Sequence, residues 1–182
     1  MKQIAVFLAE GFEEIEAVTT IDILRRAGLH VTAVAIGEDL PVTGAHGLSL
    51  VADEFFDEMD FDEVQALVLP GGMPGTLNLQ AHQGLEAKLK EFAARKDRYV
   101  AAICAAPLVL GELGLLQGRQ ATCYPGFEAS LKGAVKSSQP AVADGNTVTA
   151  DGPGHAQEFA LKLVEVLLGA DKAQAVAQGL NR

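Results

Sequence analysis

The stretch Tyr99-Val100-Ala101-Ala102-Ile103-Cys104-Ala105-Ala106-Pro107-Leu108-Val109-Leu110 decides the fold. Tyr99–Ile103 is short and almost wholly apolar, the pattern of a strand buried on both faces. Pro107–Leu113 reads as a helix with proline in its first turn, where the missing N–H costs nothing. A strand that feeds a helix through Cys104 is half of a β-α-β unit, and the same alternation runs outward along the chain. Ile4–Leu8 is a predicted strand. Glu13–Ala27 is a predicted helix in which Ile15, Val18, Ile21 and Leu24 recur every three residues. Acids open that helix, Arg25 and Arg26 close it, and Gly28 stops it. His30–Ile36 follows as a strand, and Pro41–Val51, with Gly44 and Gly47, as a hairpin or an edge excursion. Ala66–Leu69 is a strand that runs into Pro70-Gly71-Gly72, and Leu85–Lys96 is a helix. Ala141–Ala143 and Thr147–Ala150 flank the turn Asp144-Gly145-Asn146. Ala156–Leu168 is a helix with Phe159, Leu163, Val166 and Leu167 on one face, and Asp171–Gln178 is a last short helix. The whole predicts an α/β chain with a mostly parallel sheet covered on both sides. No linker or repeat divides it, so residues 1–182 are expected to form one domain.

Composition narrows the function. The chain has 182 residues, of which 49% are hydrophobic and 21% charged, enough to fill a core. Fourteen Lys and Arg against 24 Asp and Glu give a net charge of −10. So acidic a surface repels phosphate backbones and anionic membranes, which excludes non-specific nucleic-acid binding. The longest nearly apolar run, Tyr99–Leu110, is too short to span a bilayer. Lys2 with Ile4–Ala9, followed at once by Glu10, Glu13, Glu14 and Glu16, makes a poor signal peptide. Two cysteines make no disulfide framework, so a cytoplasmic, reducing setting is expected. The four histidines show no metal-ligand spacing, and no glycine-rich phosphate loop is present, so neither a metal nor a cofactor is expected. Asp53–Glu63 carries seven acids in eleven residues and reads as a solvated surface segment.

In open parallel sheets ligands bind beyond the carboxyl ends of the strands. Cys104 ends one strand and begins a helix, and its neighbours two before and two after are alanine. A sharp strand-to-helix turn tolerates only such small neighbours, which is the logic of a nucleophile elbow. The sulfur then meets helix N-terminal N–H groups, which favour thiolate. Cysteine is also among the most buried residue types, so spacing alone leaves a packed core cysteine open. Glu16 lies one turn into the first helix. A carboxyl kept protonated there would donate a hydrogen bond to the thiolate, lowering the cysteine pKa and raising its own. The alternative is that the same acid merely complements the helix dipole, the reading preferred for Glu13 and Glu14. Pro70-Gly71-Gly72 lets backbone N–H groups approach an oxyanion. Cys123-Tyr124-Pro125 closes a presumed strand at the same sheet end. Cys123 is either a packing residue or a resolving thiol for an oxidised Cys104. His155 reads as a helix-capping surface residue.

Leu8-Ala9-Glu10-Gly11-Phe12-Glu13-Glu14-Ile15-Glu16, Leu69-Pro70-Gly71-Gly72, Ala101–Pro107 and Gly152-Pro153-Gly154 together resemble the ThiJ/PfpI superfamily. The resemblance lies in the branch of the parkinsonism-associated protein deglycase and its bacterial YajL-type relatives, and covers nearly the whole chain. It implies a flavodoxin-like three-layer α/β/α sandwich with a cysteine nucleophile elbow, and a homodimer. By position, Cys104 matches the reactive cysteine, Glu16 the protonated acid beside it, and Gly72 and Ala105 the backbone oxyanion donors. The implied activity is deglycase or glutathione-independent glyoxalase chemistry on methylglyoxal, glyoxal or their adducts with amines and thiols. Tyr124 stands where that branch has a histidine near the cysteine, which makes it a candidate substrate-binding residue and leaves Glu16, Tyr124 or water as the base. His46 and Asp151 stand where two arginines form an anion pocket. Ala105 follows the cysteine where the peptidase branch has histidine, and His155-Ala156-Gln157 is not the His-x-Glu of an amidotransferase. The alternative role is a non-enzymatic redox sensor or chaperone-like protein that uses an oxidisable cysteine.

Overall fold

The computed structural model describes residues 3–182. Seven strands form the central sheet: β1 (Gln3–Leu8), β2 (His30–Ala35), β5 (Glu54–Phe55), β6 (Val64–Leu69), β7 (Tyr99–Ile103), β10 (Ala141–Asp144) and β11 (Thr147–Ala150). Their order is β10-β11-β7-β6-β1-β2-β5. Every pairing is parallel except β10 with β11, which are joined by the predicted Asp144-Gly145-Asn146 turn. Two two-stranded ribbons stand apart from it. The hairpin of β3 (Pro41–Thr43) and β4 (Ser49–Val51) settles the hairpin-or-excursion question, and β8 (Gln120–Ala121) pairs with β9 (Val135–Lys136).

Strand alternation sorts the core into two layers. Ala5, Phe7, Leu67, Leu69, Val100 and Ala102 face α2 (Gly75–Ala81), α3 (Gln83–Ala93) and α4 (Pro107–Glu112), whose Leu79, Leu85, Leu89, Phe92, Val109 and Leu110 cover them. Ile4, Val6, Ala66, Val68, Ala101 and Ile103 face the other way. They pack on Ile23 and Leu24 of α1 (Glu14–Arg26) and on Phe159, Ala160, Leu163 and Val164 of α5 (Ala156–Leu168). The final helix, α6 (Ala170–Gly179), adds Val176 to this layer. The architecture is the flavodoxin-like three-layer sandwich. No helix among the described residues is long and apolar enough to cross a membrane.

Two local readings are corrected. The presumed strand ending at Cys123-Tyr124-Pro125 is only Gln120–Ala121, and it lies outside the main sheet. The chain leaves the ladder because the Thr122 N–H donates to Thr149 Oγ1 (3.0 Å), a side chain rather than a carbonyl. The Asp53–Glu63 segment is only half solvated. Its acids face water around the edge strand β5, while Met59 is buried in the core and Phe56 and Phe61 pack against it. Helix α2 has no counterpart in the sequence reading, because seven residues opening on glycine give no 3.6-residue apolar repeat.

The chain runs outward from β1 to β2 in one direction and from β6 through β7 to β11 in the other. The reversal lies between β1 and β6, and there the ends of β1, β6 and β7 bring the start of α1, the Gly71-Gly72 turn and Cys104 close together.

Candidate functional site

Cys104 adopts φ +65°, in the left-handed region that side-chain-bearing residues avoid. Such a backbone costs about 1–3 kcal/mol and persists only where its surroundings enforce it. Here the Cys104 N–H donates to the Ala150 carbonyl (2.9 Å), and the Cys104 carbonyl accepts from the Tyr124 N–H (2.8 Å). Both contacts clamp the turn between β7 and α4, which is a nucleophile elbow. The Ala105 and Gly72 backbone N–H groups, the two that the resemblance implied, act on the half-buried sulfur by favouring its ionised form.

Gly72 takes φ +90°, and a Cβ there would sit 2.5 Å from both the Glu13 nitrogen and the Gly11 oxygen. No other residue lets this turn pass so close to the start of α1. Gly71, read with Gly72 as an oxyanion donor, has another partner. Its N–H donates to Glu16 Oε2 at 2.7 Å, and a Cβ on it would lie 2.6 Å from the Cys104 Cβ. The paired glycines after β6 were the available signal.

Glu16 is fully buried, and its carboxyl meets the Cys104 thiol. Its Oε1 is enclosed without a hydrogen-bond partner among the described residues. Burial pushes the Glu16 carboxyl up to about 7, against the Gly71 N–H and the Cys104 thiol, which favour its ionised form. The acid is therefore raised as expected. The thiol moves opposite to expectation. Burial first, then the Glu16 charge and hydrogen bond, push it up to about 12, and the Ala105 and Gly72 N–H groups only partly offset this. α4 is a six-residue helix, and its N-terminus is too weak to outweigh burial beside a carboxylate. Between those two values the pair holds a single proton, and the two groups titrate as one unit.

Tyr124 joins the site through its backbone. Its half-exposed ring lies against Gly152 and edge-on to Phe127 at 6.4 Å. Cys123 is buried with Ala106, Val109 and Ala121, whereas Cys104 packs against the opposite core layer, and both are free thiols. His155 Nδ1 lies 2.6 Å from Asp151 Oδ1, and His46 Nδ1 lies 3.0 Å from Glu14 Oε2. Both positions matched to anion-binding arginines are thus engaged in acid–histidine pairs.

Residues 2–166 match the model of the DJ-1/PfpI family. The chain belongs to that family. It is 39% identical over 178 residues to protein DJ-1 homolog B of Arabidopsis thaliana, covering 97% of this chain and 40% of that one. The chain thus spans about two fifths of the plant relative's length. It is 30% identical over 190 residues to the glutathione-independent glyoxalase DJ-1 of Schizosaccharomyces pombe, covering 100% of this chain and 99% of that one. The structure of oxidized Toxoplasma gondii DJ-1 superposes with a TM-score of 0.94 at 36% identity, covering 99% of this chain and 98% of that one. This DJ-1/PfpI member departs at Tyr124, His46 and Asp151 from the pattern that the resemblance implied.

Proposed function

We propose that the chain is a cysteine-dependent enzyme of carbonyl-stress defence. It converts methylglyoxal or glyoxal to the hydroxy acid without glutathione, or releases amines and thiols from their adducts with these aldehydes. The observation that carries this reading is the left-handed Cys104 elbow, with its sulfur between two backbone N–H groups and the buried Glu16 carboxyl. The S. pombe relative named as a glutathione-independent glyoxalase supports it.

Glu16 serves as the base that no histidine supplies, since a carboxyl near 7 is matched to neutral pH. As carboxylate it takes the thiol proton while Sγ bonds to the aldehyde carbon. The carbonyl π pair becomes an oxyanion facing the Gly72 and Ala105 N–H groups. Glu16 returns the proton to that oxygen, giving a hemithioacetal. The proton on the former aldehyde carbon then moves to the neighbouring carbonyl carbon, and the hydroxyl proton moves to that second carbon's oxygen. The first carbon is oxidised to a thioester and the second reduced to an alcohol. Water cleaves the thioester, so the net change is addition of one water with no external oxidant or reductant. Tyr124 lines the approach to the sulfur.

The exposed Ile15 and Val18 on α1 and Leu48 and Val51 on the β3–β4 hairpin support a homodimer through this face. Two free thiols fit the reducing cytoplasm. The deciding experiment is release of lactate from methylglyoxal without glutathione by wild type and Cys104→Ala. Equal rates in the two proteins would overturn the assignment. A second reading, in which peroxide oxidises the accessible Cys104 as a sensor, is favoured by the enclosure of Cys123. Mass spectrometry after mild peroxide, with no aldehyde turnover, would select it.

A further inference from the structure

A second group of acids stands apart from the sulfur. Glu13 and Glu14 lie at the N-terminal end of α1, and His46 lies in the loop between β3 and β4. One potential ligand atom from each falls within 4.8 Å of the others. His46 Nδ1 is 3.0 Å from Glu14 Oε2 and 3.5 Å from Glu13 Oε2. The other Glu14 oxygen accepts the His46 N–H (2.7 Å) and the Leu48 N–H (3.3 Å). One carboxylate therefore fixes the very loop that carries the imidazole. Burial alone would raise Glu14, but these hydrogen bonds with the His46 side chain and loop backbone outweigh it and hold the acid down to about 2.

Glu13 is the informative member. It is only 9% exposed, and its carboxylate accepts no hydrogen bond among the described residues. It is aimed at His46 Nδ1 and at nothing else that donates. The Glu13 side chain is 12% exposed, so its carboxylate is open to a cation arriving from solvent, with His46 as its neighbour. A four-coordinate dication with ligands at about 2.0–2.1 Å sets neighbouring ligand atoms about 3.3–3.4 Å apart. The two nitrogen–oxygen separations bracket that spacing.

We propose that Glu13, Glu14 and His46 form a binding site for one divalent transition-metal cation of the zinc class. Its ligands are two carboxylate oxygens and one imidazole nitrogen, with water completing the sphere. The mixed nitrogen and oxygen set suits zinc, nickel or copper, whereas calcium takes six to eight oxygens. Binding replaces the imidazole proton that lies between the carboxylates, and that proton passes to solvent. The positive end of α1 opposes the cation with a partial charge of about +0.5, which two full carboxylates outweigh. No local motif shows this site, since Glu14 and His46 are 32 positions apart. It involves neither Cys104 nor Glu16, and does not rest on the proposed activity.

The test is calorimetric titration of chelator-stripped protein with zinc chloride in a non-coordinating buffer. Wild type and Cys104→Ser should each bind one zinc per chain. His46→Gln, at a side chain that is 69% exposed, should weaken binding at least about tenfold with the urea unfolding midpoint little changed. Glu13→Gln should do the same. Cobalt titrated into wild type should give a visible ligand-field band that is absent in His46→Gln. Failure of wild type to bind, wild-type affinity in either ligand variant, or loss of binding in Cys104→Ser would each overturn the proposal.

Discussion

Glu16→Gln should change how stability depends on pH. An acid raised from 4.5 to about 7 on folding holds its proton in the native state while the unfolded chain has released it. Between those values the native state binds one proton more, so stability is fully present below 4.5 and is lost as pH rises through 7. The difference is about 2.5 pKa units, and at about 1.36 kcal/mol per unit the loss is about 3 kcal/mol. This holds wherever the proton sits within the Glu16–Cys104 pair, because linkage counts only protons bound. The substituted glutamine would keep the Gly71 hydrogen bond and carry no charge, so the variant's stability should lack this contribution. The assay is urea unfolding of both proteins between pH 5 and pH 8, with EDTA present so that no metal biases α1. The advantage of wild type over Glu16→Gln should shrink by about 2.5 kcal/mol across the range, slightly less than the full amount because part of it is already lost at pH 5. His46, raised chiefly by its hydrogen bond with Glu14, loses stability in the same direction, but it does so in both proteins and cancels. A difference that stays flat within about 1 kcal/mol would refute the placement of a buried, raised carboxyl at Glu16.

Further outcomes are expected. Glu16→Leu removes the charge and the hydrogen bond that help push the Cys104 thiol up, so alkylation of Cys104 at pH 8 should be faster in that variant than in wild type, measured by iodoacetamide kinetics, and an equal or slower rate would remove Glu16 from the control of the thiol. Gly71→Ala would push a methyl to 2.6 Å from the Cys104 Cβ and 2.8 Å from Glu16 Oε2. It should cost about 1–3 kcal/mol in urea unfolding and remove aldehyde turnover, whereas wild-type activity would show that the turn is not packed as described. Leu163→Ala, on the fully buried face of α5, should destabilise by about 2–5 kcal/mol without altering the alkylation profile. Val18→Glu on the exposed face of α1 should shift a dimer toward monomer in size-exclusion chromatography with light scattering.

The fold was legible because its signals are local. Tyr99–Ile103 and Ile4–Leu8 are continuous apolar runs, α5 repeats its buried residues at helical spacing, and Pro107 marks a helix start. Helix α2 and the end of β8 were not, because one is too short for periodicity and the other is decided by the side chain of Thr149, far away in sequence. At the site, small residues around Cys104 and the glycine pair after β6 signalled close approach, and the structure brings Cys104, Glu16, Gly72 and Ala105 together. The sign of the thiol shift was not readable. It depends on how completely α1 and the Gly71 turn exclude water from Glu16, a property of packing rather than of spacing. The cluster of Glu13, Glu14 and His46 was equally hidden, since only the hairpin's docking on α1 assembles it.

The two-residue strand β5 has a consequence for behaviour at high concentration. It closes one margin of the sheet with Glu54 and Phe55, and the chain then turns away through Asp57 and Glu58. A second molecule seeking to extend the sheet would find only two residues' worth of free backbone and a row of negative charge. Growth into fibrils from that side is thereby discouraged.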